Sequence, residues 1–217
     1  MRRLLVSVGG LAISLLVVSG CNNVLPEALE DRIRSGMAEE REKERMLTEV
    51  AVFKTEKGSF TIRFYGKHTP SSVRHIRSLI EDRFYDGIRI HRSVHEPFPY
   101  IVQFGDPITR GKPGVDFVWH SAPEDMPVAG YDGGPMLLPQ ETSEFVHDRG
   151  KVSMARPPSR PEVGSQLFIT LSRQEHLDGE FTVIGEIIDG MDVVEQLLKG
   201  DRIRTARLTP PPEPEEE

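Results

Sequence analysis

An arginine placed among β-branched apolar residues is the first feature of the sequence that points to chemistry. In FYDGIRIHRSV, residues 84–94, a turn signal is followed by a segment typical of a β-strand. Because side chains alternate between the two faces of a strand, Arg92 shares its face with Ile90 and Val94. A guanidinium is costly to remove from water, so this one must reach solvent, pair with an anion or be held there for a task.

Two further segments combine polar and apolar side chains in the alternation of a strand. In GSQLFITL, residues 164–171, Phe168 shares the outward face with Gln166. In YIVQF, residues 100–104, Gln103 lies on the same face as an isoleucine. A lone phenylalanine on a polar face predicts a shallow apolar pocket. The alternative interpretation is a scattered apolar residue on the surface, which is common.

Composition and motifs exclude several classes of function. The chain has 217 residues and a formal net charge of −7, and without a basic stripe this argues against nucleic-acid binding. There is no G-x-S-x-G stretch or Walker loop, and no nucleophile stands beside a convincing base. His91 and His95 could converge, but spacing places no third metal ligand, so we expect no metal and no cofactor. We expect His91 to be a structural, hydrogen-bonded residue. The remaining histidines of the central region are predicted to be surface or loop residues: His68, His75, His120 and His147.

The N-terminus has the layout of a secretory signal. Two basic residues precede an apolar run from Leu4 to Gly20 that ends in small residues. The run closes with VSGC, which resembles the lipobox of bacterial lipoproteins, and Cys21 is the only cysteine of the chain. The resemblance implies a lipoprotein signal peptide at 1–21, lipidation of Cys21 and an exported, membrane-anchored protein on the periplasmic or cell-envelope face. The alternative is an uncleaved membrane anchor, for which the run is short.

Three segments follow this signal. Residues 22–47 are dense in alternating charge and predict a solvated helix or spacer, with a partner-binding helix as the alternative. Residues 48–208 form the folded domain, and residues 209–217 are a Pro-rich acidic tail typical of disorder. In the domain, about eight short strands and two helices predict a mainly β fold, a closed eight-stranded antiparallel barrel capped by the helices.

Local signals place some of these elements. Thr69 followed by Pro70 predicts the N-cap and first turn of a helix. A strand is expected at 88–94, and residues 106–140 are expected to form an extended loop because Gly and Pro are frequent there.

Taken in order, the motifs of the domain resemble those of the cyclophilins, a family of peptidyl-prolyl cis-trans isomerases. The matching motifs are FYDGIRIHRSV, YIVQFGDP, GGP, GKVSMAR, GSQLFI and HLDGEFTVIGEIIDGMDVVEQL. The resemblance implies an eight-stranded barrel with a groove on its outer surface. It also implies a monomeric enzyme that binds proline-containing polypeptides and accelerates rotation about X–Pro bonds without a metal or cofactor. For an exported protein, the implied role is to assist the folding of other exported proteins.

The resemblance also assigns roles by position. Arg92 matches the family's catalytic arginine, a fixed donor that stabilises the twisted amide more than either planar form. Substrate binding is implied for the following positions: Tyr100, Ile101, Gln103, Met154, Ala155, Arg156, Gln166, Phe168, His176, Leu177 and Phe181.

Departures from the family pattern leave a second function open. The connection SVHEPFP before Tyr100 is longer than usual, and Phe181 stands where a polar residue is common. His176 occupies the position of a tryptophan linked to cyclosporin binding, so we expect weak sensitivity to that drug. The segment 107–132 has little family counterpart. The alternative is therefore a proline-peptide-binding module on the cell envelope with little or no turnover.

Overall fold

The computed structural model describes residues 3–8, 11–16, 27–110, 138–156 and 162–211. The chain divides into two compact units, residues 1–46 and residues 47–217. The first unit contains two antiparallel strands, β1 (Arg3–Val8) and β2 (Leu11–Leu16), within the segment predicted to be a signal peptide. It also contains most of helix α1 (Glu27–Thr48), which has 22 residues and mostly exposed side chains.

The predictions of a signal peptide and of lipidation at Cys21 stay predictions. Cys21 lies outside the described residues. None of the helices in the described part of the chain is both long enough and apolar enough to span a bilayer.

The second unit is built on one eight-stranded antiparallel sheet. The strands follow one another in the order β12–β3–β4–β11–β8–β10–β6–β5. A separate two-stranded sheet pairs β7 with β9. The bounds are β3 (Val50–Thr55), β4 (Ser59–Phe64), β5 (Arg92–Ser93), β6 (Ile101–Phe104), β7 (Leu138–Pro139), β8 (Lys151–Met154), β9 (Glu162–Val163), β10 (Leu167–Thr170), β11 (Val183–Asp189) and β12 (Ile203–Thr209). The described residues of this unit also form helices α2 (Pro70–Glu81) and α3 (Met191–Gln196), with 3₁₀ turns at Pro107–Thr109 and Glu175–Leu177.

The mainly β prediction is confirmed, but the prediction of a closed barrel is wrong. The sheet is curled and open: its ladder ends at β5 on one side and at β12 on the other. The strand expected at 88–94 is reduced to β5, because residues 87–90 turn away from the ladder. Their backbone groups instead bond to residues 200–203, around a single isolated bridge between Arg89 and Arg202. The two sheet edges are therefore joined by an irregular segment and not by paired strands.

Helix α2 begins at Pro70, as the sequence predicts, but its first turn is capped from elsewhere in the chain. The side chain of Thr69 makes no capping hydrogen bond. The carboxylate of Glu141 instead accepts bonds from the backbone nitrogens of Ser71 (3.1 Å) and Ser72 (2.7 Å). This satisfies donors that have no partner within a helix, and it ties the helix to the segment that leads into β8.

Among the described residues of this unit, apolar side chains form two separate clusters. The larger cluster fills the concave side of the sheet, and at its centre the rings of Phe53 and Phe60 stack with centroids 5.2 Å apart. The smaller cluster consists of Ile101, Ala155, Phe168 and Leu177, with Tyr100 and Phe181 packed against it. Alternation along β6 and β10 sends successive residues to the two clusters. The second cluster therefore marks the other face of the sheet.

Candidate functional site

The register of three neighbouring strands brings the polar and aromatic residues predicted from the sequence into one row. On β10, Phe168 is paired with Gln103 of β6, and Gln103 is in turn paired with Arg92 of β5. Directly paired residues of antiparallel strands project from the same face of a sheet. The ring, the amide and the guanidinium therefore lie side by side on the face that carries the smaller apolar cluster.

A cavity of about 400 Å³ opens on this row. Its floor is apolar and two arginines stand at its boundary. The lining residues are Arg92, Tyr100, Ile101, Gln103, Ala155, Arg156, Phe168, Leu177 and Phe181. All of them were predicted as site residues from the sequence.

The guanidinium of Arg92 faces the cavity. Its Cζ atom lies 5.4 Å from the centroid of the Tyr100 ring, over the ring face. Within the described ranges, no carboxylate comes within ion-pair distance of this side chain, which is partly exposed. Of the three possibilities raised by the sequence, pairing with an anion is thus absent from the described residues. The charge is oriented by an aromatic face and its donors are available to a ligand.

The amide of Gln103 is held by a second glutamine below it. Nε2 of Gln103 donates to Oε1 of Gln166 at 2.8 Å, and both side chains are buried. Gly105 allows the two strands to approach here: it has φ 104°, and a Cβ in its place would lie 2.3 Å from the carbonyl oxygen of Ser165. Gln166 is therefore a support for Gln103 and does not line the cavity itself.

His91 is buried beneath this row and stays neutral near pH 7. Burial lowers its pKa from 6.5 to about 4, although its interaction with the Gln166 side chain opposes the shift. This agrees with the structural role predicted for His91. Within the described part of the chain, no group of histidine, cysteine or carboxylate side chains is arranged to hold a metal ion.

The burial of His91 predicts acid sensitivity of the fold. Above pH 6.5 this histidine is neutral in both states and the fold has its full stability. As the pH falls from 6.5 towards 4, the unfolded state takes up a proton that the folded state does not, and the free energy of unfolding decreases. Between about pH 7.5 and about pH 5, this one group should reduce the free energy of unfolding by about 2 kcal/mol. In urea unfolding measurements over the same pH interval, the free energy of unfolding of a His91→Gln variant should decrease by about 2 kcal/mol less than that of the parent. Equal losses in the two proteins would show that His91 does not carry the effect.

Aromatic rings and Arg156 form the opposite wall of the cavity. The rings of Phe168 and Phe181 meet edge to face with centroids 5.4 Å apart. Arg156 places its Cζ atom 5.2 Å from the centroid of Phe181, and its Nη2 lies 3.6 Å from the carboxylate of Glu180. Phe181 thus extends the apolar surface at the position where the sequence departs from the family pattern.

Three of the predicted substrate-binding residues do not line the cavity. The side chain of Met154 is fully buried in the larger core cluster, because its strand position faces the concave side of the sheet. Gln166 lies behind Gln103. His176 is exposed, and its Nε2 lies 3.2 Å from the hydroxyl of Tyr100, outside the lining. Of the unusual segment 107–132, only residues up to Arg110 fall within the described ranges.

Two histidines predicted to be surface or loop residues are buried. The prediction is wrong for His75, which is in a helix, whereas His147 does lie in a segment without helix or strand. His75 lies on the packed side of α2. His147 is fully buried, and its ring stacks on Phe168 with centroids 5.9 Å apart. The segment around His147 has no strand or helix periodicity, so no signal in the local sequence marks it as buried. Of the other two histidines, His68 is exposed and His120 lies outside the described residues.

Comparison with known proteins identifies relatives of this chain. The family "Cyclophilin type peptidyl-prolyl cis-trans isomerase/CLD" matches residues 50–213. The chain is 33% identical over 147 residues to "Peptidyl-prolyl cis-trans isomerase-like 3" of Gallus gallus, covering 67% of this chain and 79% of the relative. It is 32% identical over 161 residues to "Peptidyl-prolyl cis-trans isomerase" of Synechococcus elongatus, covering 73% of this chain and 94% of the relative.

The fold is also similar to that of a solved structure. This is a cyclophilin-type isomerase of Cryptosporidium parvum crystallised in the presence of the dipeptide Ala-Pro. The TM-score is 0.57 at 23% sequence identity, and the match covers 74% of this chain and 98% of the other.

Proposed function

The chain belongs to the cyclophilin-type peptidyl-prolyl cis-trans isomerases, and we propose that it acts on X–Pro bonds of exported proteins while it is anchored to a membrane through Cys21. The isomerase prediction made from the sequence is confirmed by the family match and by the relatives. The catalytic role of individual residues, the anchor and the class of client protein belong to the proposal.

The reaction requires only that the twisted form of one amide be stabilised. An X–Pro bond has partial double-bond character, with a rotation barrier of about 18–20 kcal/mol. Uncatalysed exchange therefore takes tens to hundreds of seconds. When the bond is half rotated, the proline nitrogen regains its lone pair and can accept a hydrogen bond. A donor that meets this nitrogen stabilises the twisted state and neither planar state, which is the condition for catalysis.

We assign this donor to Arg92, and we assign the apolar floor of the cavity to the proline ring. The observation that carries the assignment is the row Phe168–Gln103–Arg92 on three adjacent strands. A proline ring seated on Phe168 would place its amide about one strand spacing, roughly 5 Å, from Gln103 and two from Arg92. A long guanidinium side chain can cover the second interval, and it stays protonated throughout. Gln103, fixed by Gln166, is placed to hold the neighbouring peptide group.

Binding of proline peptides is supported by a relative as well as by the shape of the cavity. The solved structure from Cryptosporidium parvum was determined in the presence of Ala-Pro. The same ligand class suits this cavity, because a pyrrolidine ring is apolar and the flanking peptide groups need hydrogen bonds. Ile101, Ala155, Leu177 and Phe181 supply the apolar contacts beside Phe168.

Anchoring is supported by the N-terminal sequence. A basic start, an apolar run and the single cysteine after small residues are the features of a lipidated precursor. Helix α1 would extend about 33 Å at 1.5 Å per residue. Its charged, exposed surface suits a spacer in water between the anchor and the catalytic domain.

Anchoring can be tested by removing the cysteine. The full chain produced in a bacterium should be found in the membrane fraction and become labelled by a radioactive fatty acid. A Cys21→Ser variant should carry no label, because an alcohol does not replace the thiol in thioether formation, while its isomerase domain remains folded. A Ser19→Ala variant, which keeps the cysteine and a small residue, is the matched control. Equal membrane content and no label in either protein would reject lipidation.

A further inference from the structure

Behind the floor of the cavity, a buried histidine supports the ring proposed to receive proline. The imidazole of His147 and the ring of Phe168 are nearly parallel, with an interplanar angle of 11° and centroids 5.9 Å apart. His147 is 0% exposed and Phe168 is 4% exposed. The ring of Phe168 also packs nearly perpendicular to the ring of Phe181, so it contacts two aromatic neighbours. Any movement of His147 would be transmitted to the surface on which a substrate sits.

The orientation of this imidazole is set by Asp178. Its Oδ1 atom lies 3.0 Å from Nδ1 of His147 and also accepts the backbone N–H of His147 at 2.7 Å. Arg173 donates to the same carboxylate at 3.1 Å, and this guanidinium, with the groups of His147, holds the pKa of Asp178 below its ordinary value. A carboxylate that stays ionised requires a proton on Nδ1, so it selects one tautomer and one ring plane.

The same carboxylate links two parts of the cavity. Asp178 directly follows Leu177, which lines the cavity wall, and the backbone nitrogen of Gln174 donates to the carbonyl oxygen of His147 at 2.9 Å. The segment that carries Leu177 is therefore attached to the segment that carries His147. The distance between the Leu177 wall and the Phe168 floor depends on this attachment.

An imidazole at this position buries a polar nitrogen, which a phenyl ring would not do. With Nδ1 bonded to Asp178, Nε2 of His147 is buried and finds no hydrogen-bond partner among the described residues. An unsatisfied buried polar atom is destabilising. Burial also lowers the pKa of His147, although the hydrogen bond with Asp178 opposes the shift. What the imidazole provides is a flat surface whose plane is held by a hydrogen bond.

We propose that His147 and Asp178 are positioning residues for the isomerase: the carboxylate fixes the imidazole, and the imidazole fixes Phe168 and the width of the proline-ring pocket. This inference rests on the proposed function, in which the ring of the substrate sits on Phe168. It assigns to the pair an effect on substrate binding. Because Arg92 lies two strands away, the pair should affect the rotation step itself much less.

The test separates binding from turnover in four variants: His147→Ala, His147→Phe, Asp178→Ala and the double variant His147→Ala/Asp178→Ala. For a short Ala-Pro peptide, His147→Ala should raise KM about tenfold and change kcat less than about threefold. His147→Phe keeps a ring behind Phe168 and should recover most of the loss. Since the two residues act as a unit, the KM of the double variant should exceed that of His147→Ala by no more than about twofold. The matched control is His75→Ala in α2, outside the cavity. It also removes a buried imidazole whose Nε2 has no hydrogen-bond partner among the described residues.

Thermal unfolding of every variant shows whether a change in KM is only a loss of folded protein. The inference is overturned if His147→Ala keeps the KM of the parent or changes it no more than His75→Ala does. It is also overturned if His147→Phe is as poor as His147→Ala, or if the two single effects on KM multiply in the double variant. Peptide affinity, followed by chemical shifts, is measured alongside. A parent that binds the peptide without turnover would reject the proposed function and leave the positioning effect on affinity testable.

Discussion

An Arg92→Ala variant is expected to lose about 10²–10³-fold in kcat/KM for a short X–Pro peptide, the typical effect of removing one donor aimed at a developing transition state. The loss should fall on kcat, because the donor meets the proline nitrogen only when the amide is twisted. The affinity for the peptide should change little, since the ring pocket remains. The measurement is a protease-free stopped-flow assay of the cis-to-trans rate, together with a binding titration.

The structure offers clear controls for this variant. In the described residues Arg92 has no carboxylate partner, so its removal leaves no unpaired anion, and the stability should be nearly unchanged. Arg92→Lys keeps the charge but loses the planar fork of donors, and an intermediate rate is expected. Arg204, which is exposed on β12, provides a matched arginine outside the site, and Arg204→Ala should retain the parent rate. A parent-like kcat/KM in Arg92→Ala would remove the guanidinium from the mechanism.

A Phe168→Ala variant is expected to lose about 10- to 50-fold in kcat/KM, mainly through weaker binding. The three methylene groups of a proline ring gain about 0.8 kcal/mol each on burial, and most of that contact is with the floor formed by Phe168. Truncating the ring also removes its contacts with Phe181 and His147. Steady-state kinetics at several peptide concentrations would separate the rise in KM from any change in kcat.

Loss of stability must be separated from loss of the pocket in this variant. Truncating a buried phenylalanine costs about 3–5 kcal/mol in a core, so the milder Phe168→Leu should be made as well. Phe60→Leu is the matched control, because Phe60 is equally buried but belongs to the larger cluster. We expect Phe60→Leu to lower the unfolding temperature and to leave kcat/KM unchanged. If Phe60→Leu and Phe168→Leu lowered kcat/KM equally, the effect would be one of general packing.

Alternation along single strands allowed the floor of the site to be predicted. In GSQLFITL the period of two separates Leu167 and Ile169, which are buried in the larger cluster, from Phe168 on the other face. The same rule placed Gln103 on the face of the site. The residue types and their order then identified the family, which supplied the positions of Arg92 and the remaining lining residues. Met154 was assigned to the substrate-binding residues by its position in the family motif. Its place on the strand instead directs its side chain into the core.

Features that depend on contacts between distant segments could not be predicted in the same way. The capping of α2 by Glu141 joins residues about 70 positions apart in the chain, and no local pattern encodes it. The stacking of His147 on Phe168 and its bond to Asp178 are of the same kind. The open edge of the sheet also follows from the backbone bonds of residues 87–90 to residues 200–203. A strand-like sequence pattern does not reveal that these residues leave the ladder.

The central claim is that the cavity beside Arg92 turns X–Pro bonds over and does not merely hold them. Exchange spectroscopy by NMR tests it most directly, on a labelled Ala-Pro peptide mixed with a small fraction of the domain from residue 47 onward. We expect the resonances of Phe168 and Arg92 to shift on binding, and the cis–trans exchange rate to rise in proportion to the protein concentration. The contradicting result is a peptide that shifts the same resonances while its exchange remains at the uncatalysed rate, with a time constant of tens to hundreds of seconds.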